Sequence, residues 1–198
     1  KEIVDYRDKT GEEPLWTNSM FGGMPAYQIS VIHPTPVLGP IDSIMKLGSR
    51  GGLGKHFLNA LGFYLLMLAL RLDWRIAALG AVAYGFSSYL LVILEVGHNS
   101  KAVAMGYAPA VLAGFIMLFK NRQYLWGTVV TALFLGLQIK SNHPQITYYF
   151  LLLMICLGVF FLIDAARKGE MVPLLKSLGL FAGASLIAIG LSAPRLLS

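Results

Sequence analysis

With 198 residues, 56% of them hydrophobic and only 13% charged, the chain carries about half of the ~25% charge typical of a soluble domain. That deficit, with apolar runs of about 18 residues, excludes an ordinary soluble fold and points to an all-α, polytopic integral membrane protein. The net charge of +6 is no nucleic-acid signature, because the basic residues mostly flank apolar runs, as topology determinants do.

The opening 50 residues are polar and hold six of the ten acids. The stretch from Asp5 to Pro14 is charged and predicts a short helix ending near Gly11. Next comes Leu15 to Tyr27, rich in aromatics, Gly and Pro, too apolar for a solvated linker and too broken for a span. It is expected to lie along the membrane surface with Trp16, Phe21 and Tyr27 at headgroup depth. Apolar residues between Ile41 and Leu47 recur at helical spacing, predicting an interfacial helix that leads into the first span. The chain opens on Lys1 without a start Met or a signal-like beginning, so the expectation is a piece of a longer protein.

Six apolar stretches follow, over residues 57–70, 76–94, 102–119, 124–139, 146–163 and 178–191. A straight span needs about 20 residues. The first, fourth and last are short, and the long stems of Lys55, Lys140 and Lys176 make up the difference by snorkelling. The expected layout is therefore about six transmembrane helices over residues 53–198, preceded by a long outer-face loop, residues 1–52, with short interfacial helices. Asp73 is placed to cap the helix starting at Trp74, Pro144 to open another, and Gly169 to stop one. Gly179 and Gly183 form a small-xxx-small pattern that argues for tight helix packing. Cys156 lies mid-span and has no partner for an internal disulfide.

Charge sets the orientation. The connections over 71–75, 120–123 and 164–177 hold Arg71, Arg75, Lys120, Arg122, Arg167, Lys168 and Lys176, whereas the alternate connections and the end hold only Lys101, Lys140 and Arg195. The positive-inside rule puts the first set in the cytoplasm. The segment 1–52 and both His-bearing connections then face outward, and reactive residue types collect on that one face.

Glu95 ends the apolar run Leu90 to Leu94, where an unpaired carboxylate is costly, and the nearby His98 and Lys101 are candidate partners. His98 and His143 share a side, and His can donate to phosphate, move protons near neutral pH or ligate a metal. Two His and a Glu are a conceivable zinc set. There is no His-x-x-x-His spacing, however, and the ligands would come from separate loops, so contact with phosphate or sugar is the favoured reading and no metal ligand is assigned. Asp5, Arg7 and Asp8 form a compact charged group, in which an Asp can act as a general base toward a hydroxyl. A surface loop beside polar helix ends suits a substrate with a polar head and a tail left in the bilayer, with Lys101, Lys140 and His98 as counter-charges for its phosphate.

Three stretches carry a resemblance: Glu13-Pro14-Leu15-Trp16-Thr17-Asn18-Ser19-Met20-Phe21-Gly22-Gly23-Met24-Pro25, Gly97-His98-Asn99-Ser100-Lys101, and Asn142-His143-Pro144-Gln145-Ile146-Thr147-Tyr148-Tyr149. Together they resemble the YfhO family of bacterial membrane proteins, over nearly the whole chain. The resemblance implies the glycosyltransferase C superfamily: polytopic enzymes that take sugar from a polyprenyl-phosphate donor on the outer face of the bacterial cytoplasmic (inner) membrane and pass it to a cell-envelope acceptor. Their usual catalytic carboxylate is an Asp in the first outer loop. Asp5 and Asp8 are the candidates here, the alternative expectation being an Asp upstream of Lys1. Glu95 and His98 stand where the superfamily often places a second acidic or polar site residue. The candidate substrate-binding residues are Arg7, Trp16, Asn18, Tyr27, Asn99, Lys101, Lys140, Asn142, His143 and Gln145. No cofactor is required, a divalent cation is left open, and the partners are the sugar donor, membrane lipids and the acceptor, with no nucleic acid. The rival readings are a lipid or solute transporter or flippase, against which the uncharged mid-span regions count, and a non-catalytic membrane assembly subunit.

Overall fold

The structure is a computed structural model that describes residues 2–12, 14–18, 22–26, 37–49 and 51–196, and the side chains of all of these except 4, 24 and 193–196. It divides into two compact units, Lys1–Pro34 and Thr35–Ser198.

In the first unit, helix α1 (Glu2–Thr10) ends at Gly11, whose positive φ of 71° lets the chain turn out of the helix. Strands β1 (Trp16–Thr17) and β2 (Met24–Pro25) pair antiparallel, with Trp16 opposite Pro25 and Thr17 opposite Met24. Among the described residues of this unit, the expected long loop is a helix and a two-stranded antiparallel pair held by side-chain bonds. Thr17 Oγ1 donates to Glu2 Oε2 at 2.8 Å, and the Asn18 amide donates to Glu2 Oε1 at 3.3 Å.

The second unit is all helical among its described residues: α2 (Leu38–Met45), α3 (Gly52–Ala69), α4 (Trp74–Gly85), α5 (Ser88–Glu95), α6 (Asn99–Phe119), α7 (Tyr124–Lys140), α8 (Pro144–Lys168) and α9 (Met171–Leu196). Helix ends follow local chemistry. The Arg75 amide donates to Asp73 Oδ1 at 2.9 Å, capping α4, and Gly169 closes α8 in the left-handed region.

Four helical segments are long and apolar enough to cross a membrane: Trp74–Glu95, which joins α4 and α5, Asn99–Phe119, Pro144–Lys168 and Met171–Ser192. The expected count of six is corrected by the remaining two. Helix α7 has 17 residues, and α3 carries Lys55, His56 and Asn59 in its first two turns, which leaves too short an apolar window. The chain is a helical membrane protein whose apolar helices differ in setting. Asn99–Phe119 is 72% buried by its neighbours, whereas Pro144–Lys168 is 6% buried and turns Leu151, Ile155 and Phe160 outward.

Helix α6 is central, packing on α3 and α7, while α4 covers α3 and α9 covers α7. The main core joins Leu38, Leu58, Val103, Tyr107, Ala110, Val111, Phe134 and Leu137 from α2, α3, α6 and α7. Glycines let these backbones close up. A Cβ on Gly62 would sit 2.0 Å from the Gly106 carbonyl oxygen, and one on Gly114 would sit 2.8 Å from the Thr131 amide nitrogen. The tight packing expected at Gly179 and Gly183 is not found there, since a Cβ at either meets nothing within 4 Å. Buried hydroxyls add bonds between helices: Ser177 Oγ donates to the Leu118 carbonyl at 2.9 Å and Ser192 Oγ to that of Gly136 at 3.2 Å.

Candidate anion-binding site

Helix α2 is short, but Leu38 is 1% exposed in the core and anchors it. Residues four apart share a helix face, so Asp42 and Lys46 follow Leu38 onto the same side. Asp42 becomes the hub of a polar cluster. Its Oδ2 accepts from Lys46 Nζ and from Lys140 Nζ, both at 2.8 Å. Its Oδ1 accepts from the hydroxyl of Tyr107 at 2.5 Å, and Tyr107 is fully buried in α6. Burial pushes the Asp42 carboxyl up, but the bonds from Lys140, Lys46 and Tyr107 outweigh it and hold the group below its ordinary range.

Around this hub opens a cavity of about 520 Å³ lined by Lys46, Lys55, Lys140, Asp42, Ser43, Ser49, Asn99, Ser100 and Ser141 among others. Among the described residues, three ammonium groups thus share one cavity with one carboxylate. The lining also includes the first turn of α6, where backbone N–H groups and the helix dipole favour negative charge. Beside Lys55, Asn59, buried in the next turn of α3, donates to the carbonyls of Lys55 at 2.8 Å and Ala102 at 3.0 Å, tying α3 to α6. A wall of lysines, serines and a helix N-terminus is suited to bind a phosphate or sulfate ester.

Of the residues singled out in the sequence, Asn99 and Lys140 line this cavity. Asp42, Lys46 and Lys55 were not assigned to a site. Asp42 and Lys46 read as the polar face of an interfacial helix and Lys55 as a snorkelling flank, and no local pattern links Asp42 to Lys140 across 98 residues.

The other described candidates of the second unit do not line this cavity. Glu95 and His98 are exposed at the α5–α6 connection, His98 at the N-cap position of α6. Lys101 lies over the Tyr89 ring, 5.3 Å from its centroid. His143 caps α8, its Nδ1 accepting from the Ile146 amide at 3.4 Å, while Asn142 takes the left-handed turn before it at φ 55° and Gln145 is exposed. In the first unit Asp5 and Asp8 are exposed on α1 and Arg7 is half-buried. Trp16 Nε1 donates to Asn18 Oδ1 at 3.1 Å, and the Trp16 ring lies where a Cβ on Gly23 would be, 2.7 Å from Nε1. Tyr27 lies outside the described residues. Among the described residues no group of three His, Cys, Asp or Glu side chains is arranged to hold a metal ion.

Fold and site together define a helical membrane protein with a lysine-lined cavity at one end of its bundle. Comparison with protein-family models, with curated proteins and with solved structures finds no match to the chain.

Proposed function

We propose that the chain is part of a membrane glycosyltransferase that takes its sugar from a polyprenyl-phosphate donor and passes it to a cell-envelope acceptor on the outer face of the bacterial cytoplasmic membrane. The observation that carries this reading is the cavity with Lys46, Lys55 and Lys140 at the end of an apolar bundle. The resemblance to the YfhO family and the placing of basic connections at the opposite end support it.

The chemistry fits the charge. In an inverting displacement the acceptor hydroxyl oxygen attacks the anomeric carbon and the bond from that carbon to the phosphate oxygen breaks. The electron pair stays on the phosphate, and the hydroxyl proton passes to a carboxylate or His. The donor phosphodiester carries one negative charge and the departing phosphomonoester nearly two. Ammonium groups already in place stabilise the developing charge more than the starting one, as catalysis requires. Lys140, Lys46, Lys55 and Asn99 hold the phosphate. Asp42 holds the lysines and is a positioning residue, because its oxygens are occupied by their ammonium groups and by Tyr107. Glu95 and His98 are the second unit's candidates for orienting or deprotonating the acceptor, and Asp5 and Asp8 are the first unit's.

The test compares envelope glycans and glycolipids in strains carrying the intact gene, a deletion and Lys140→Ala. The proposal expects a lost or truncated glycan in the deletion and a reduced one in the variant. An unchanged glycan profile on deletion refutes it. One observation favours a transporter instead: the span Trp74–Glu95 is interrupted at Phe86 and Ser87, and broken spans are common in transporters. Uptake or flipping of a lipid phosphate by proteoliposomes, without sugar transfer, would select that reading.

A further inference from the structure

A second cavity backs onto the first. It measures about 430 Å³, within the usual range of ligand pockets, and lies between α3 and α4, lined by Leu47, Leu53, His56, Phe57, Ala60, Leu61, Tyr64, Ala78, Ala81, Val82 and Phe86. Its walls alternate in sequence with those of the lysine cavity. Lys46 and Gly48 face the polar side and Leu47 the apolar side, and Lys55 is polar-side while His56 and Phe57 are apolar-side. The turn between α2 and α3 and the first turn of α3 thus form a thin partition, polar on one face and apolar on the other.

The apolar groove is preformed. At its floor α3 and α4 meet closely, for a Cβ on Gly85 would sit 2.9 Å from that of Ala60. His56 Nδ1 donates to the Gly85 carbonyl at 2.7 Å, occupying an oxygen freed where the span breaks, and its ring stacks on Phe86 with centroids 5.3 Å apart. The rim carries exposed apolar side chains, Leu47 at 59% and Leu53 at 70% exposure.

We infer that the two cavities are halves of one site for a single-chain lipid phosphate, the head among Lys46, Lys55 and Lys140 and the chain over Leu47 into the α3–α4 groove. The lysines favour an anion, the apolar walls favour a chain, and the partition between them is only a turn thick. The groove lies between one pair of helices, α3 and α4, and the ligand is accordingly assigned a single chain. The inference rests on the anion-binding reading and adds to it the path of the tail. Because a chain leaving the bilayer for a groove gains little from hydrophobic transfer, its place is tested by position and not by affinity.

The experiment is photolabelling of the protein in lipid nanodiscs with a long-chain alkyl phosphate carrying a diazirine at mid-chain, followed by peptide mapping. The matched alkyl alcohol serves as the second probe. The phosphate probe is expected to label the segments 53–64 and 78–86 at least severalfold more than the alcohol does. The double variant Lys46→Gln and Lys140→Gln is expected to reduce that labelling to the alcohol's level. Lysine-dependent labelling that falls on α8 or α9 overturns the tail path and leaves the anion site standing. Equal labelling by phosphate and alcohol in the unaltered protein overturns the anion site, and the inference with it. That comparison needs no variant to fold.

Discussion

Replacing Asp42 by Asn tests the arrangement most directly. The substitution keeps the shape and leaves an oxygen to accept from Tyr107, but removes the charge that two lysines share. Side-chain exposures of 15% for Asp42, 19% for Lys46 and 17% for Lys140 make this a largely sheltered pair of ion pairs. Removing one partner from a fully buried pair costs about 3–5 kcal/mol. Partial exposure of all three groups, with a neutral acceptor retained, reduces the expected loss to about 2–3 kcal/mol. For a chain of this size each kcal/mol moves Tm by about 2–4 °C, so the variant should melt roughly 5–10 °C lower in detergent. The same change removes the one carboxylate that lines the cavity among the described residues, so phosphate or sulfate in the buffer should recover more of the loss in the variant than it adds to the unaltered protein. A melting point unmoved by the substitution, or equal anion effects on both proteins, would refute the reasoning.

Further tests follow from the same contacts. Because Asp42 titrates below its ordinary range, its contribution to stability is complete above about pH 4 and disappears as pH falls through the depressed native value. Melting curves between pH 3 and pH 7 should therefore show an acid-side loss that is smaller in Asp42→Asn. Gly62→Ala places a methyl against the Gly106 carbonyl and should cost about 1–3 kcal/mol, whereas Gly179→Ala meets open space and should be neutral or stabilising by up to about 1 kcal/mol; thermal denaturation of the pair decides it. Gly23→Ala strains a φ of 118° and collides with Trp16, so limited proteolysis should cut faster around β1 and β2, while Trp16→Phe should be milder.

Legibility in the sequence depended on how local the cause was. Asp73, Gly169 and the helix ending at Gly11 were readable because each acts on backbone groups a few residues away. The span count failed at α3, where residues 57–70 read as a span with Lys55 as its snorkelling flank, whereas Lys55, His56 and Asn59 make the start of this helix polar, and Lys55 and His56 line cavities. Small residues in a helix announce that a close approach is affordable without saying where it occurs: Gly62 and Gly114 are used, and Gly179 and Gly183 are not. The cavity was half legible, through Lys140 and Asn99. Its hub, Asp42, looks like any acid on a short amphipathic helix until tertiary packing brings Tyr107 and Lys140 to it.

The Asp42 hub also bears on how the proposed transfer would release its product. A ring of lysines with no internal anion would hold a phosphate product tightly and release it slowly. Here Lys46 and Lys140 already share the Asp42 carboxylate, so under the proposed function a phosphate would compete with that carboxylate for the same ammonium groups, and the carboxylate would take them back on release. A phosphate held there would be bound by the difference between two good arrangements, which would allow strong electrostatics at the proposed reacting group without a trap for the product.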